Sequence, residues 1–302
     1  MSVVAEVTEF TDPGCIWSWS SEPYLRWLRA RYGEQLGWRR VFGVQVDDLA
    51  RTHPGRDPVA DAEEFRAGWL EVAAHTGAPI TARLTAMNRS TVPASRAAKA
   101  AEAQGPAVAE AVLRRLRESL FVDGVAPDDD ARIADALRGV AGLDLARLLA
   151  DAASAPVIAA VEADWALTRR PRPEVIDRSG PGPNPGAAKP DGEHLRYGFP
   201  TLVVRGSGGV RVLAGWQAPQ AHAATLEQAA PELVARPLAL SAAEALARYG
   251  SLTAVELELL TDDGAAGLPA GAVRVESATR PLWLAAGETA ERGVAASGAT
   301  AA

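Results

Sequence analysis

Apolar and β-branched residues run from Val3 to Phe10, interrupted by Glu6 and Glu9, and this pattern predicts a first strand. It ends at the breaker cluster Asp12-Pro13-Gly14. From Cys15 to about Tyr32 the spacing turns helical, with Trp19, Tyr24, Trp27 and Leu28 on one side and Gly33 as the stop. Leu36 to Val46 reads as a second strand with Trp38, Val41 and Val44 as packing residues. Five Ala-, Leu-, Glu- and Arg-rich segments then predict helices: Val59–His75, Ala94–Gln104, Ala107–Phe121, Asp129–Gly139 and Leu143–Ala153. Pro156 opens another, to about Arg169, because proline suits a first helical turn.

Arg170 to Arg196 holds six prolines and four glycines and predicts an extended loop. Gly198-Phe199-Pro200-Thr201-Leu202-Val203-Val204 enters a strand, and Val210–Leu213 pairs with it across Gly206-Ser207-Gly208-Gly209. Ala218–Ala229 closes the region as a helix. Beyond Leu238, Ala242–Tyr249 and Thr253–Leu260 are helical, and Ala272–Val275 and Pro281–Leu284 are short strands, the order of a winged-helix remnant. It is acidic at Glu256, Glu258, Asp262 and Asp263 and lacks a recognition helix, so it is expected to pack on the core or contact a protein.

Composition narrows the function classes. The 302 residues are 48% hydrophobic and 23% charged, an ordinary globular balance. A net charge of −7 argues against a nucleic-acid surface, and Arg26, Arg29, Arg31, Arg39 and Arg40 read as a solvated face. The single cysteine excludes an intrachain disulfide and fits a reducing compartment. The first residues lack a basic, apolar leader, and no run reaches the ~18 apolar residues of a membrane span, so a cytoplasmic location and no membrane partner are expected. His53, His75, His194 and His222 have no metal-ligand spacing with Cys15, and neither a metal nor a bound cofactor is expected.

The element order, strand, helix headed by cysteine, strand, helical block, helix, Phe-Pro-Thr strand, strand, helix, is that of a thioredoxin fold with a helical insertion. Thr11-Asp12-Pro13-Gly14-Cys15-Ile16-Trp17-Ser18-Trp19 resembles the active-site entry of cytoplasmic DsbA-like proteins, including their adaptor branch. Gly198-Phe199-Pro200-Thr201 resembles the family's cis-proline loop, and Thr91-Val92-Pro93-Ala94-Ser95-Arg96-Ala97 a stretch of its helical insertion. The resemblance covers roughly residues 3–230. It implies an α/β thioredoxin-fold core of residues 1–47 and 156–235, with 48–155 as helical insertion. A small α/β, winged-helix-like extension (236–288) and a flexible tail (289–302) complete the expected organisation.

The resemblance also supplies the site. Cys15 is the expected nucleophile, activated at the helix N-terminus, where backbone N–H groups and the macrodipole favour a thiolate. Asp12-Pro13-Gly14 is expected to turn the chain so that Cys15 caps the helix rather than pointing into the core. The plainer readings are a small buried hydrophobe for Cys15 and a trans proline at a strand start for Pro200. Ser18 stands where a dithiol member has its resolving cysteine, so Cys-x-x-Ser excludes a one-chain dithiol cycle. Trp17, Phe199, Pro200 and Thr201 are the expected substrate contacts, with Pro200 presenting a backbone edge to a peptide or thiol. Trp19 and Trp27 read as core. The leading expectation is a monothiol thiol-disulfide oxidoreductase using an external low-molecular-weight thiol on protein or small-molecule disulfides. The alternatives are a non-catalytic adaptor holding a protein in the same groove, and a kappa-class-like thiol transferase or isomerase.

Overall fold

A computed structural model describes residues 3–238 and 240–288. In chain order the first half runs β1 (Ala5–Thr11), α1 (Ile16–Tyr32), β2 (Leu36–Phe42), a short α2 (Leu49–Thr52), α3 (Ala62–Thr76) and α4 (Val92–Ala101). Next come α5 (Pro106–Phe121), α6 (Asp130–Leu137), α7 (Leu145–Ala152) and α8 (Ala155–Thr168). After these come β3 (Lys189–Asp191), β4 (His194–Arg196), β5 (Thr201–Gly206), β6 (Gly209–Ala214) and α9 (Pro219–Ala229). The chain ends with α10 (Ala242–Tyr249), β7 (Ser251–Thr253), α11 (Ala254–Leu260), β8 (Val273–Val275) and β9 (Leu282–Leu284). It divides into two compact units, residues 1–45 with 158–238 and residues 46–157 with 239–302.

The first unit is built on a four-stranded sheet of order β2-β1-β5-β6. β1 and β2 are parallel and joined through α1, whereas β5 pairs antiparallel with both β1 and β6. This is the thioredoxin-type sheet the resemblance implies. Alternation sorts its two faces. Ala5, Val7, Leu202 and Val204 pack with Leu25, Leu28 and Tyr32 of α1 and Leu226 of α9. Phe10, Val41 and Val203 face the other way, with Cys15, Tyr197 and Phe199. Of the two glutamates in β1, Glu6 is exposed, while Glu9 is buried and accepts from Trp38 Nε1 at 2.8 Å and Arg40 Nε at 3.2 Å.

Three expectations for this unit need correction. The second strand stops at Phe42 rather than Val46, because Val44 takes a left-handed φ of 46° that no strand tolerates. The proline-rich loop contains a 3₁₀ turn at Pro173–Val175 and the antiparallel hairpin β3–β4. Gly192, at φ 61°, supplies the turn of that hairpin. The five arginines are not simply a solvated face. Arg26 is buried 3.7 Å from Glu22, Arg29 and Arg31 lie over the rings of Trp38 and Trp27, and Arg39 sits 3.6 Å from Asp164.

In the second unit the C-terminal segment folds with the helical block. Arg114 of α5 explains why. Its guanidinium is buried, and buried Glu256 of α11 provides a two-pronged partner at 2.9 and 3.1 Å. Glu256 also closes a capping box with Thr253, so one carboxylate both starts α11 and pairs α5. Thr279 adds hydrogen bonds to Ala78 and Ile80. β7, three residues between Gly250 and α11, is too short to carry a sequence signal and forms a sheet of order β7-β9-β8. The expected tail at 289–302 lies outside the described residues.

Candidate functional site

Cys15 is the N-cap residue of α1 by its backbone, and its carbonyl accepts from Trp19 N–H at 3.0 Å. Asp12 sets up this turn. Its buried carboxylate accepts from Gly14 N–H and from Gln45 N–H, each at 2.7 Å, and so ties the cysteine loop to the exit of β2. The thiol itself makes no capping bond, contrary to expectation. It points into the apolar cluster of Phe10, Val41, Tyr197, Phe199 and Val203, and Sγ lies 3.8 Å from the Phe199 carbonyl oxygen. Cys15 is 4% exposed.

Burial pushes the Cys15 thiol above its ordinary value; the Ser18 hydroxyl and backbone N–H oppose this, Asp12 reinforces it and Arg196 opposes it. The helix N-terminus was expected to depress the thiol, and desolvation in an apolar cluster outweighs it. Ser18 is fully buried, and its hydroxyl has no hydrogen-bond partner of ordinary geometry, although its nearness to the sulfur favours the thiolate.

The Phe199–Pro200 peptide bond is cis. Thr201 hydroxyl donates to Gly198 O at 2.6 Å and Gly215 N–H to Pro200 O at 2.8 Å, which close the loop on itself. Phe199 is buried with the Arg196 guanidinium 4.7 Å above its ring. Its carbonyl accepts from Asn184 Nδ2 at 3.5 Å, which brings the proline-rich segment against the loop. Trp17 is half-buried and packs at the edge of the Cys15 cluster, while Trp19 is fully inside. The structure thus brings Cys15, Ser18, Trp17 and the Phe199–Thr201 loop into one region, and it turns the Thr201 hydroxyl inward. Among the described residues no group of three His, Cys, Asp or Glu side chains is placed to hold a metal ion.

Sequence reading missed several contributors. Tyr197 stacks on Phe10 with ring centroids 4.1 Å apart and walls the thiol. Gly43 lies under Phe199, where a Cβ would come 1.9 Å from ring atom Cζ. The positive φ of the neighbouring Val44 belongs to the same tight passage. Only Asn184-Pro185-Gly186, a turn signal, marked the approach of the loop. Gly43→Ala is expected to force the Phe199 ring out of place and cost about 1–3 kcal/mol by overpacking. The urea midpoint measures that loss, and an unchanged midpoint would show that the ring has another place to go.

A family model described as thioredoxin matches residues 9–171, more than half of the chain. The ClpXP adapter protein SpxH of Shouchella clausii is 28% identical over 170 residues, covering 54% of this chain and 53% of that protein. SpxH of Halalkalibacterium halodurans is 28% identical over 167 residues, covering 54% of each. The chain therefore spans about half the length of the curated relatives it matches. Among solved structures, a putative protein disulfide isomerase from Nitrosomonas europaea aligns with TM-score 0.55 at 16% identity, over 74% of this chain and 96% of that one. The cytosolic disulfide reductase DsbM from Pseudomonas aeruginosa aligns with TM-score 0.51 at 19% identity, over 74% and 93%. At these identities the structural likeness speaks for the fold alone. Among the described residues no helix is long and apolar enough to cross a membrane.

Proposed function

This chain belongs to the DsbA-like thioredoxin-fold family, and on that premise we propose that it is a protein-binding adaptor rather than a thiol-disulfide catalyst. The observation that carries this reading is the state of Cys15: buried, walled by aromatic rings, and held toward the neutral thiol. A thiol-disulfide exchange needs an accessible thiolate and a second thiol to release the product. Here the first is suppressed and the second is absent, since the chain has one cysteine. The rim around half-buried Trp17 and the cis-proline loop is then a docking face, and the relatives named as ClpXP adapters supply the class of partner.

The second reading, a monothiol oxidoreductase using an external thiol, rests on Ser18. A buried hydroxyl beside the sulfur favours the thiolate and is the group a transiently exposed Cys15 would need.

Two assays on the full chain separate them. In a glutathione-coupled disulfide reductase assay, the wild type should turn over no faster than Cys15→Ser, and Ser18→Cys should also stay at background. In titrations against labelled ClpXP, saturable binding is expected, weakened tenfold or more by Trp17→Ala and within twofold of wild type for Cys15→Ser. Turnover by the wild type that Cys15→Ser abolishes would overturn the adaptor reading in favour of the monothiol one.

A further inference from the structure

The sheet face that carries Phe10 and Val203 also carries, further from Cys15, an open cleft of about 790 Å³ within the first unit. Strand parity explains its lining. Glu6, Thr8 and Phe10 project from β1 to this face, and Val203 and Arg205 of β5 stand opposite Thr8 and Glu6 in the antiparallel register. Arg39 of β2 pairs with Thr8 in the parallel register. Arg170 and Arg172, just past the end of α8, complete the rim. The floor is apolar and buried: Phe10, Tyr197 and Val203.

The charges on this cleft run against the rest of the molecule. Its lining holds four arginines and one carboxylate, Glu6, whereas the chain as a whole carries −7. Arg39 and Arg172 are partly satisfied, by Asp164 at 3.6 Å and Glu174 at 2.8 Å. The side chains of Arg170 and Arg205 have no hydrogen-bond or ion-pair partner among the described residues. Guanidinium groups gathered over an apolar floor suit an anionic head joined to an apolar body, because the planar fork pairs with carboxylate or phosphate while the floor takes up the hydrocarbon. The volume is in the ordinary range for small-molecule sites, roughly 300–1,000 Å³.

We propose that this cleft binds an amphiphilic anion, an aliphatic body bearing a carboxylate or phosphate head, with Arg170 and Arg205 holding the head and Phe10, Tyr197 and Val203 the body. The proposal does not depend on the function of Cys15, which lies beyond the Phe10–Tyr197 wall.

The test is calorimetric titration of the full chain with decanoate, decyl phosphate, 1-decanol and inorganic phosphate, each below its aggregation limit. Decanoate or decyl phosphate should bind saturably at one site, and which of the two binds tighter identifies the head group. Decanol and inorganic phosphate alone should bind at least tenfold more weakly. The double variant Arg170→Ala/Arg205→Ala should weaken the anion tenfold or more, and Thr8→Glu, which puts a carboxylate into the cleft, should do the same. Circular dichroism and the urea midpoint establish that both variants are folded. Cys15→Ser should bind as the wild type does. No saturable binding of either anion, equal binding of decanol, or indifference of the arginine variant would overturn the assignment.

Discussion

Replacing Arg114 by methionine is expected to remove about 3–5 kcal/mol from the stability of the second unit, the range for breaking a buried ion pair on one side. The guanidinium sits between two buried carboxylates, with Nε 2.6 Å from Glu118 and the terminal nitrogens 2.9 and 3.1 Å from Glu256. Methionine fills much of the same volume but removes the guanidinium with which both buried carboxylates pair. Glu118→Gln/Glu256→Gln added to Arg114→Met should restore at least half the loss, because the amide can still accept from Thr253 N–H at the start of α11. Urea unfolding of the full chain measures each case. A loss under about 1 kcal/mol would mean that the pair is no stronger than a surface bridge and that something else holds the C-terminal segment to α5.

Acidification should weaken the first unit through His222. The ring is buried in α9 against Tyr24, with Nδ1 3.1 Å from the Ala218 carbonyl, and burial lowers its pKa from 6.5 to about 4. Since the folded value is depressed, the unfolded chain binds the proton first. Stability is full above pH 6.5 and is lost as pH falls from there toward about 4, below which both states are protonated. At about 1.4 kcal/mol per pH unit the whole loss is about 3 kcal/mol. His222→Leu should flatten that part of the profile, so the difference between the two proteins' unfolding free energies, followed from pH 7.5 to 4.5, isolates the histidine from the carboxylates. Parallel profiles would show that the ring reaches solvent when charged. Tyr24 also lies against Trp216, which follows the glycine that holds the Pro200 carbonyl. The same titration should therefore loosen the cis-proline loop.

The elements near the site were legible because local chemistry announces them. Asp12-Pro13-Gly14 breaks a strand wherever it stands, Gly33 ends a helix, and period-two alternation assigns Val203 to one face and Leu202 and Val204 to the other. The charge state of Cys15 was not legible. A helix N-terminus is a local feature and argues for a thiolate. What surrounds the sulfur comes from Phe10, Tyr197 and Phe199, the last two more than 180 residues away in the chain. Desolvation depends on that enclosure, and no spacing rule encodes it.

The same division holds elsewhere in the molecule. Sequence alone determined most of the strands and helices and the Cys-x-x-Ser site with its missing second thiol, since each depends on residue type and short-range spacing, while the proline loop beside the cysteine was implied by the family resemblance. Only the tertiary structure decided that Val44 ends β2 early, that Gly43 must be small beneath Phe199, and that four arginines from β2, β5 and the chain beyond α8 share one cleft. It also decided that Glu256 answers Arg114 across 142 positions. Each of these is a close approach between segments distant in sequence. Close packing and the cost of burying charge act on the distance between atoms, which the order of residues does not contain.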